Sequence, residues 1–209
     1  MKRRALLGLA ATLAGCGRKP TATSVALAPG STVLALGDSI TAGVGADAAA
    51  SYPAQLAALT GWHVVNGGVS GDTSAQAAER LPALLAEHKP ALVIVSIGGN
   101  DFLRRLSKAD TEANLRRIVG AARESGAQVL LVAVPQPTLA AAVGVGLSDH
   151  PLYASLAGEL KLPLHIGGWS YVLGQESMKS DQIHANAAGY RAFAEGLVNT
   201  LRVTGYLNK

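Results

Sequence analysis

From residue 33 onward the chain alternates between short, almost continuously apolar runs and longer stretches in which apolar residues recur every three or four positions. The runs fall at 33–36, 63–65, 92–97, 129–134 and 162–166. Such unbroken apolar character is expected of parallel strands covered on both faces. The spaced stretches predict helices near 52–59, 73–87, 111–124, 151–160 and 186–201. In the second of these Ala77, Leu81, Leu84 and Leu85 share one side; in the last, Tyr190, Phe193, Leu197 and Leu201 do. Gly126 follows the third, where a glycine that ends a helix is favoured. This alternation predicts a three-layer α/β/α sandwich around a parallel sheet of about five strands.

In such folds ligands bind beyond the carboxyl ends of the strands. After the first run comes Gly37-Asp38-Ser39, after the second Asn66-Gly67-Gly68-Val69-Ser70-Gly71-Asp72, and after the third Gly98-Gly99-Asn100-Asp101. All three loops are expected on one rim. Acyl transfer by serine needs an exposed hydroxyl, a base within hydrogen-bond reach and donors aimed at the developing oxyanion. A glycine lets a substrate come close to a backbone N–H, and an asparagine offers amide donors without a competing charge. Gly71 and Asn100 suit that role, together with the backbone N–H of Ser39. Asp181 and His184 lie three residues apart before the last helix, a spacing that can set a carboxylate against an imidazole and fix its tautomer. Nothing in this chemistry requires a metal or another cofactor.

Four blocks carry a resemblance: GDSI at 37–40, SGDTS at 70–74, GGND at 98–101 and DQIH at 181–184. Their order and approximate spacing are similar to those of the SGNH/GDSL hydrolases, above all the branch of bacterial arylesterases, lysophospholipases and acyl-CoA thioesterases. The likeness spans about residues 32–201. It implies a flavodoxin-like fold, with Ser39 as nucleophile, His184 as general base and Asp181 as its orienting acid. It also implies an oxyanion hole made by Ser39, Gly71 and Asn100, and a small-molecule or lipid ester, or a thioester, as substrate. Two positions depart from the family. Ile40 stands where leucine is usual, an apolar exchange. Ala185 stands where proline usually follows the histidine, so His184 is expected to be less preorganised. A polysaccharide or cell-wall O-acetylesterase, and a ligand-binding lipoprotein that keeps the fold without turnover, are the alternative readings.

The remaining sequence changes this picture at its ends. Lys2, Arg3 and Arg4 precede a short apolar run that closes with Leu13-Ala14-Gly15-Cys16. The run is too short to span a bilayer and reads as a secretory signal over residues 1–15. Its end resembles a bacterial lipobox, which makes Cys16, the single cysteine, the expected lipidation site. Residues 16–31 then read as a lipidated cysteine and flexible tether, and 32–209 as the hydrolase domain. An exported, membrane-anchored lipoprotein of the periplasm or cell envelope, acting as a monomer, is the expectation. The chain has 18 basic and 14 acidic residues; three basic ones belong to the signal, which leaves 15 against 14. The pI of 9.4 is therefore no argument for nucleic acid, and aromatics at 4% give no stacking platform.

A second acid–histidine pair, Asp149-His150, sits before a helix, where Ser148 or Asp149 is an expected cap. His150 is expected on the pocket rim rather than as a base. His63, His88 and His165 are expected to be structural. No set of His, Asp, Glu and Cys has the spacing of a zinc site. Segment 135–174 is expected to shape an acyl pocket, with 135–137 and 140–145 as an apolar wall joined by Phe102, Leu103 and Trp169.

Overall fold

The computed structural model describes residues 24–136 and 146–208. Five strands, β1 (Thr32–Gly37), β2 (His63–Gly68), β3 (Leu92–Ser96), β4 (Gln128–Val132) and β5 (Leu164–His165), form one parallel sheet in the order β2-β1-β3-β4-β5. Five long helices match the predicted ones: α2 (Tyr52–Thr60), α3 (Ser74–His88), α5 (Lys108–Glu124), α6 (Pro151–Leu160) and α8 (Ala187–Val203). Three short ones are additional: α1 (Ser39–Ala42), α4 (Gly99–Leu103) and α7 (Gly168–Leu173). Helices α3, α5 and α6 cover one face of the sheet; α2, α7 and α8 cover the other. The three-layer sandwich expected from the sequence is the fold.

Local chemistry explains the boundaries. Thr73 caps α3 in a reciprocal box with Gln76, each side chain meeting the other's backbone N–H. Helix α5 starts three residues earlier than its apolar spacing suggests because Ser107 accepts the Asp110 N–H at 3.3 Å. Asn186 does the same for α8 through the Gly189 N–H at 3.0 Å. The last strand shrinks to two residues, and 133–134 lie beyond the end of β4 although both are buried.

The core is apolar on both faces of the sheet. Val33, Leu34, Leu36 and Ile94 are fully buried, as are Leu81 and Leu115 from one helical layer and Leu56 and Leu197 from the other. Each such side chain contributes about 1.5–3 kcal/mol on burial. Trp169 stacks on Phe193 at 3.5 Å and donates its indole N–H to Ser96 Oγ at 3.0 Å. It is wholly buried. It therefore belongs to the core under the end of β3, not to the pocket wall.

The segment read as a tether is docked at its far end. The backbone of Val25 exchanges two 2.7 Å hydrogen bonds with the Gln128 side chain, and buried Leu27 donates its N–H to the Tyr206 carbonyl at 2.8 Å. Residues 25–31 thus run along the amino-terminal rim of the sheet. The signal segment, Cys16 and the apolar stretch 140–145 lie outside the described residues.

Candidate active site

Strand register gathers the predicted loops. Gly37 pairs with Gly68 on one side and with Ser96 on the other, so β1, β2 and β3 end level and their loops open side by side. Asp38 then turns the chain and caps α1, accepting the Ile40 N–H at 3.1 Å. That makes Ser39 the first residue of a helix at the end of the sheet.

The hydroxyl of Ser39 meets His184 Nε2 at 2.9 Å. On the far side of the ring, Nδ1 meets Asp181 Oδ2 at 2.8 Å. The second oxygen of Asp181 accepts the N–H of Ile183 at 2.9 Å and of His184 at 2.8 Å, so the carboxylate is fixed by its own turn. What little burial Asp181 has pulls its pKa up. The imidazole N–H and the two backbone donors outweigh that and hold it below the ordinary carboxylate range. The loop that carries the pair is itself tied down. Ser180 donates its N–H to the His184 carbonyl at 3.0 Å, and the Asn186 amide spans the carbonyls of Ser177 and Lys179 at 2.9 and 3.1 Å. Buried Ala185 pairs with Lys179 in an antiparallel bridge. These bonds position His184 without the family's proline.

The second and third loops are laced to each other. One hydrogen of the Asn100 amide goes to the Asp72 carbonyl at 2.9 Å, which aims Nδ2; among the described residues its other N–H has no acceptor. Arg104 donates to the Gly71 carbonyl at 2.8 Å. Gly71 holds φ at +85°, a left-handed conformation that suits glycine. Among the described residues neither the Gly71 N–H nor the Ser39 N–H donates a hydrogen bond. The two backbone N–H groups and the Asn100 amide are thus carried by the adjoining loops of this one rim.

Several contributors escape the sequence. Asp101 is buried and accepts the Ser74 N–H at 2.8 Å, the Ser74 hydroxyl, and the Thr111 hydroxyl at 3.2 Å. It clamps the start of α3 and ties it to α5 through Thr111. Arg80 binds Asp72 at 2.7 Å and the Gly37 carbonyl at 2.9 Å, joining the first loop to the second. Its place on the apolar side of α3, between Ala77 and Leu84, was a signal available in the sequence. Asp38 is buried beside the serine, and burial pushes its pKa up to about 6 against the pull of the Ile40 N–H and the nearby His184 ring.

The second acid–histidine pair plays structural parts. His150 itself, not Ser148 or Asp149, caps α6 by accepting the Leu152 N–H at 3.2 Å, and its ring stacks on Phe102 at 4.2 Å. Asp149 holds the start of α7 through the Gly167 N–H at 2.6 Å and the Ser170 hydroxyl. His165 is buried against Phe193 and shares a 2.7 Å hydrogen bond with Thr200, while among the described residues its Nε2 has no partner. His88 lies 3.7 Å from Glu87 at the surface.

Known proteins resemble this chain in sequence and fold. The model of the GDSL-like lipase/acylhydrolase family matches residues 35–192. Esterase TesA of Pseudomonas aeruginosa is 36% identical over 198 residues, covering 91% of this chain and 96% of the relative. Thioesterase 1/protease 1/lysophospholipase L1 of Escherichia coli is 36% identical over 178 residues, covering 82% and 83%. A crystal structure of TesA superposes with a TM-score of 0.73 at 36% identity, over 83% of this chain and 99% of that one. The chain belongs to the GDSL-like lipase/acylhydrolase family and is a carboxylic ester hydrolase.

Proposed function

We propose that the enzyme cleaves its esters through a covalent acyl-enzyme on Ser39. The reading rests on one observation, the unbroken chain of hydrogen bonds from Ser39 through His184 to Asp181 at 2.9 and 2.8 Å. His184 Nε2 takes the hydroxyl proton as Ser39 Oγ attacks the acyl carbon, and Asp181 stabilises the imidazolium that results. The oxyanion forms against the N–H groups of Ser39 and Gly71 and the free amide hydrogen of Asn100. As the tetrahedral adduct collapses, His184 returns its proton to the leaving alcohol or thiol. It then deprotonates a water, which hydrolyses the acyl-enzyme and restores Ser39.

The substrates proposed are aryl and short-to-medium acyl esters, extending to lysophospholipids and thioesters, the classes named for the Escherichia coli relative. The enzyme is also read as exported and held to a membrane by a lipid on Cys16, on the strength of the leader described above. Among the described residues no helix is long and apolar enough to cross a membrane.

The test is hydrolysis of p-nitrophenyl acetate, butyrate, octanoate and palmitate by the wild type and Ser39→Ala. Loss of kcat by several orders of magnitude in the variant is expected, with octanoate preferred to acetate. A Ser39→Ala enzyme that keeps its rate overturns the mechanism. A strong preference for acetate overturns the extension to longer acyl chains and lysophospholipids and favours an O-acetylesterase.

A further inference from the structure

From the last residue of α4 to the first of α5 the chain exposes Leu103-Arg104-Arg105-Leu106-Ser107-Lys108 without a break. Leu103 is 51% exposed and Leu106 46%, with three cations between and beside them. The turn is built, not loose. The Arg105 N–H reaches the Phe102 carbonyl at 3.0 Å and the Leu106 N–H reaches the Asp101 carbonyl at 2.8 Å. The Arg104 bond to the Gly71 carbonyl joins it to the neighbouring loop, where Val69 is 44% exposed. Among the described residues neither Arg105 nor Lys108 pairs with a carboxylate, whereas Arg80, Arg116, Lys179 and Arg191 all do. Apolar side chains and unpaired cations thus share one short projection beside the oxyanion donors.

We propose that this projection docks the enzyme on an anionic phospholipid surface. The charge complementarity selects the partner's sign. A bilayer interface offers phosphate oxygens and hydrocarbon within about 5–10 Å of each other. That is the pairing that alternating leucine and arginine can satisfy at once, the aliphatic groups entering while the cations stay at headgroup level. Leu103 and Leu106 lie exposed on the same short segment among its cations, and contiguous exposed apolar surface rimmed by polar groups marks an interaction site. Docked so, the rim that carries Ser39 faces the lipid. The docking does not depend on the chemistry at Ser39, so the two readings can fail separately.

The experiment is co-sedimentation of the full chain with vesicles of phosphatidylcholine alone and of equimolar phosphatidylcholine and phosphatidylglycerol. Each cation near an anionic surface is worth about five-fold in binding. Arg105→Gln/Lys108→Gln is therefore expected to bind the anionic vesicles about 25-fold more weakly than the wild type, with the leader unchanged in both. Its hydrolysis of soluble p-nitrophenyl butyrate is expected to stay at the wild-type rate. A local reporter separates this turn from the leader. Leu106→Trp is expected to shift its emission to the blue with anionic vesicles and not with phosphatidylcholine alone; native Trp62 and Trp169 are buried and give a constant background that the wild type measures. Equal binding by wild type and the double variant, or an unshifted Leu106→Trp spectrum, overturns the proposal. So does a wild type that ignores the anionic vesicles.

Discussion

Asp38 places a carboxyl group in the interior, next to the serine, and its replacement by asparagine is expected to stabilise the protein. Burial lifts its pKa from 3.8 to about 6. A folded-state pKa above the unfolded one means that the group's contribution to stability is full below pH 3.8 and is lost as pH rises through about 6. Above that window the folded state holds a charge that water would solvate better, at a cost of about 3 kcal/mol. Asparagine removes the charge and keeps the acceptor that caps α1, since Asn and Asp are equally good at that position. Asp38→Asn should therefore be more stable than the wild type by about 3 kcal/mol near pH 7.5 and by only about 1 kcal/mol near pH 4.5. Equilibrium urea unfolding at both pH values, followed by tryptophan emission, measures the difference through the midpoints at matched slopes. The argument fails if Asp38→Asn is no more stable than the wild type near neutrality, or if its advantage does not shrink with acid.

Three further outcomes are expected. His165 acts with the opposite sign: burial lowers its pKa from 6.5 to about 4, so the stability it provides above pH 6.5 is lost as pH falls through about 4, by about 3 kcal/mol in all. Urea unfolding of His165→Gln across that window should show most of this dependence gone, and a variant curve parallel to the wild type would refute it. Asn100→Ala should lower kcat by about 10²–10³ with little change in KM, since the amide is aimed at a charge that exists only in the transition state; steady-state kinetics with a p-nitrophenyl ester decides. Gly98 holds φ at +120°, and a Cβ there would lie 2.4 Å from the Tyr153 hydroxyl, which donates to the Ile97 carbonyl at 2.7 Å. Gly98→Ala should cost about 2–4 kcal/mol of stability through strain and a displaced hydrogen bond. Adding Tyr153→Phe, which removes the clashing oxygen, should restore part of it in a urea titration.

The parallel sheet and the long helices were legible because burial on both faces, or along one stripe, writes itself into apolar spacing. The short helices were not. Four to six residues at Ser39–Ala42, Gly99–Leu103 and Gly168–Leu173 are too few to show a period, and each forms because a preceding strand end and a capping residue or glycine leave little alternative. Ser39, His184 and Asp181 could be picked out because their residue types and order are restrictive. The bonds that hold their loops together could not. Asp101 reaches Ser74 across 27 residues and Arg80 reaches Gly37 across 43; no local pattern encodes a contact between two loops of a rim. Trp169 shows the reverse limit. An aromatic residue after the last strand reads equally well as pocket lining or as core, and only the packing against Phe193 and Ser96 decides.

The docked segment 25–31 has a consequence for how the molecule is held. It leaves the domain at the amino rim of the sheet, and the C-terminal end lies beside it, Leu27 bonding the Tyr206 carbonyl and Tyr206 in turn the Val129 carbonyl at 3.0 Å. Both ends of the described chain therefore emerge together, a full strand length away from Ser39. A parallel sheet has a direction, and here that direction becomes an attitude. The lipid proposed on Cys16, or a solid support at either terminus, would hold the molecule from its base, the end opposite the rim that carries Ser39. An anchored copy then presents its turn of leucines and arginines to whatever surface lies opposite its own.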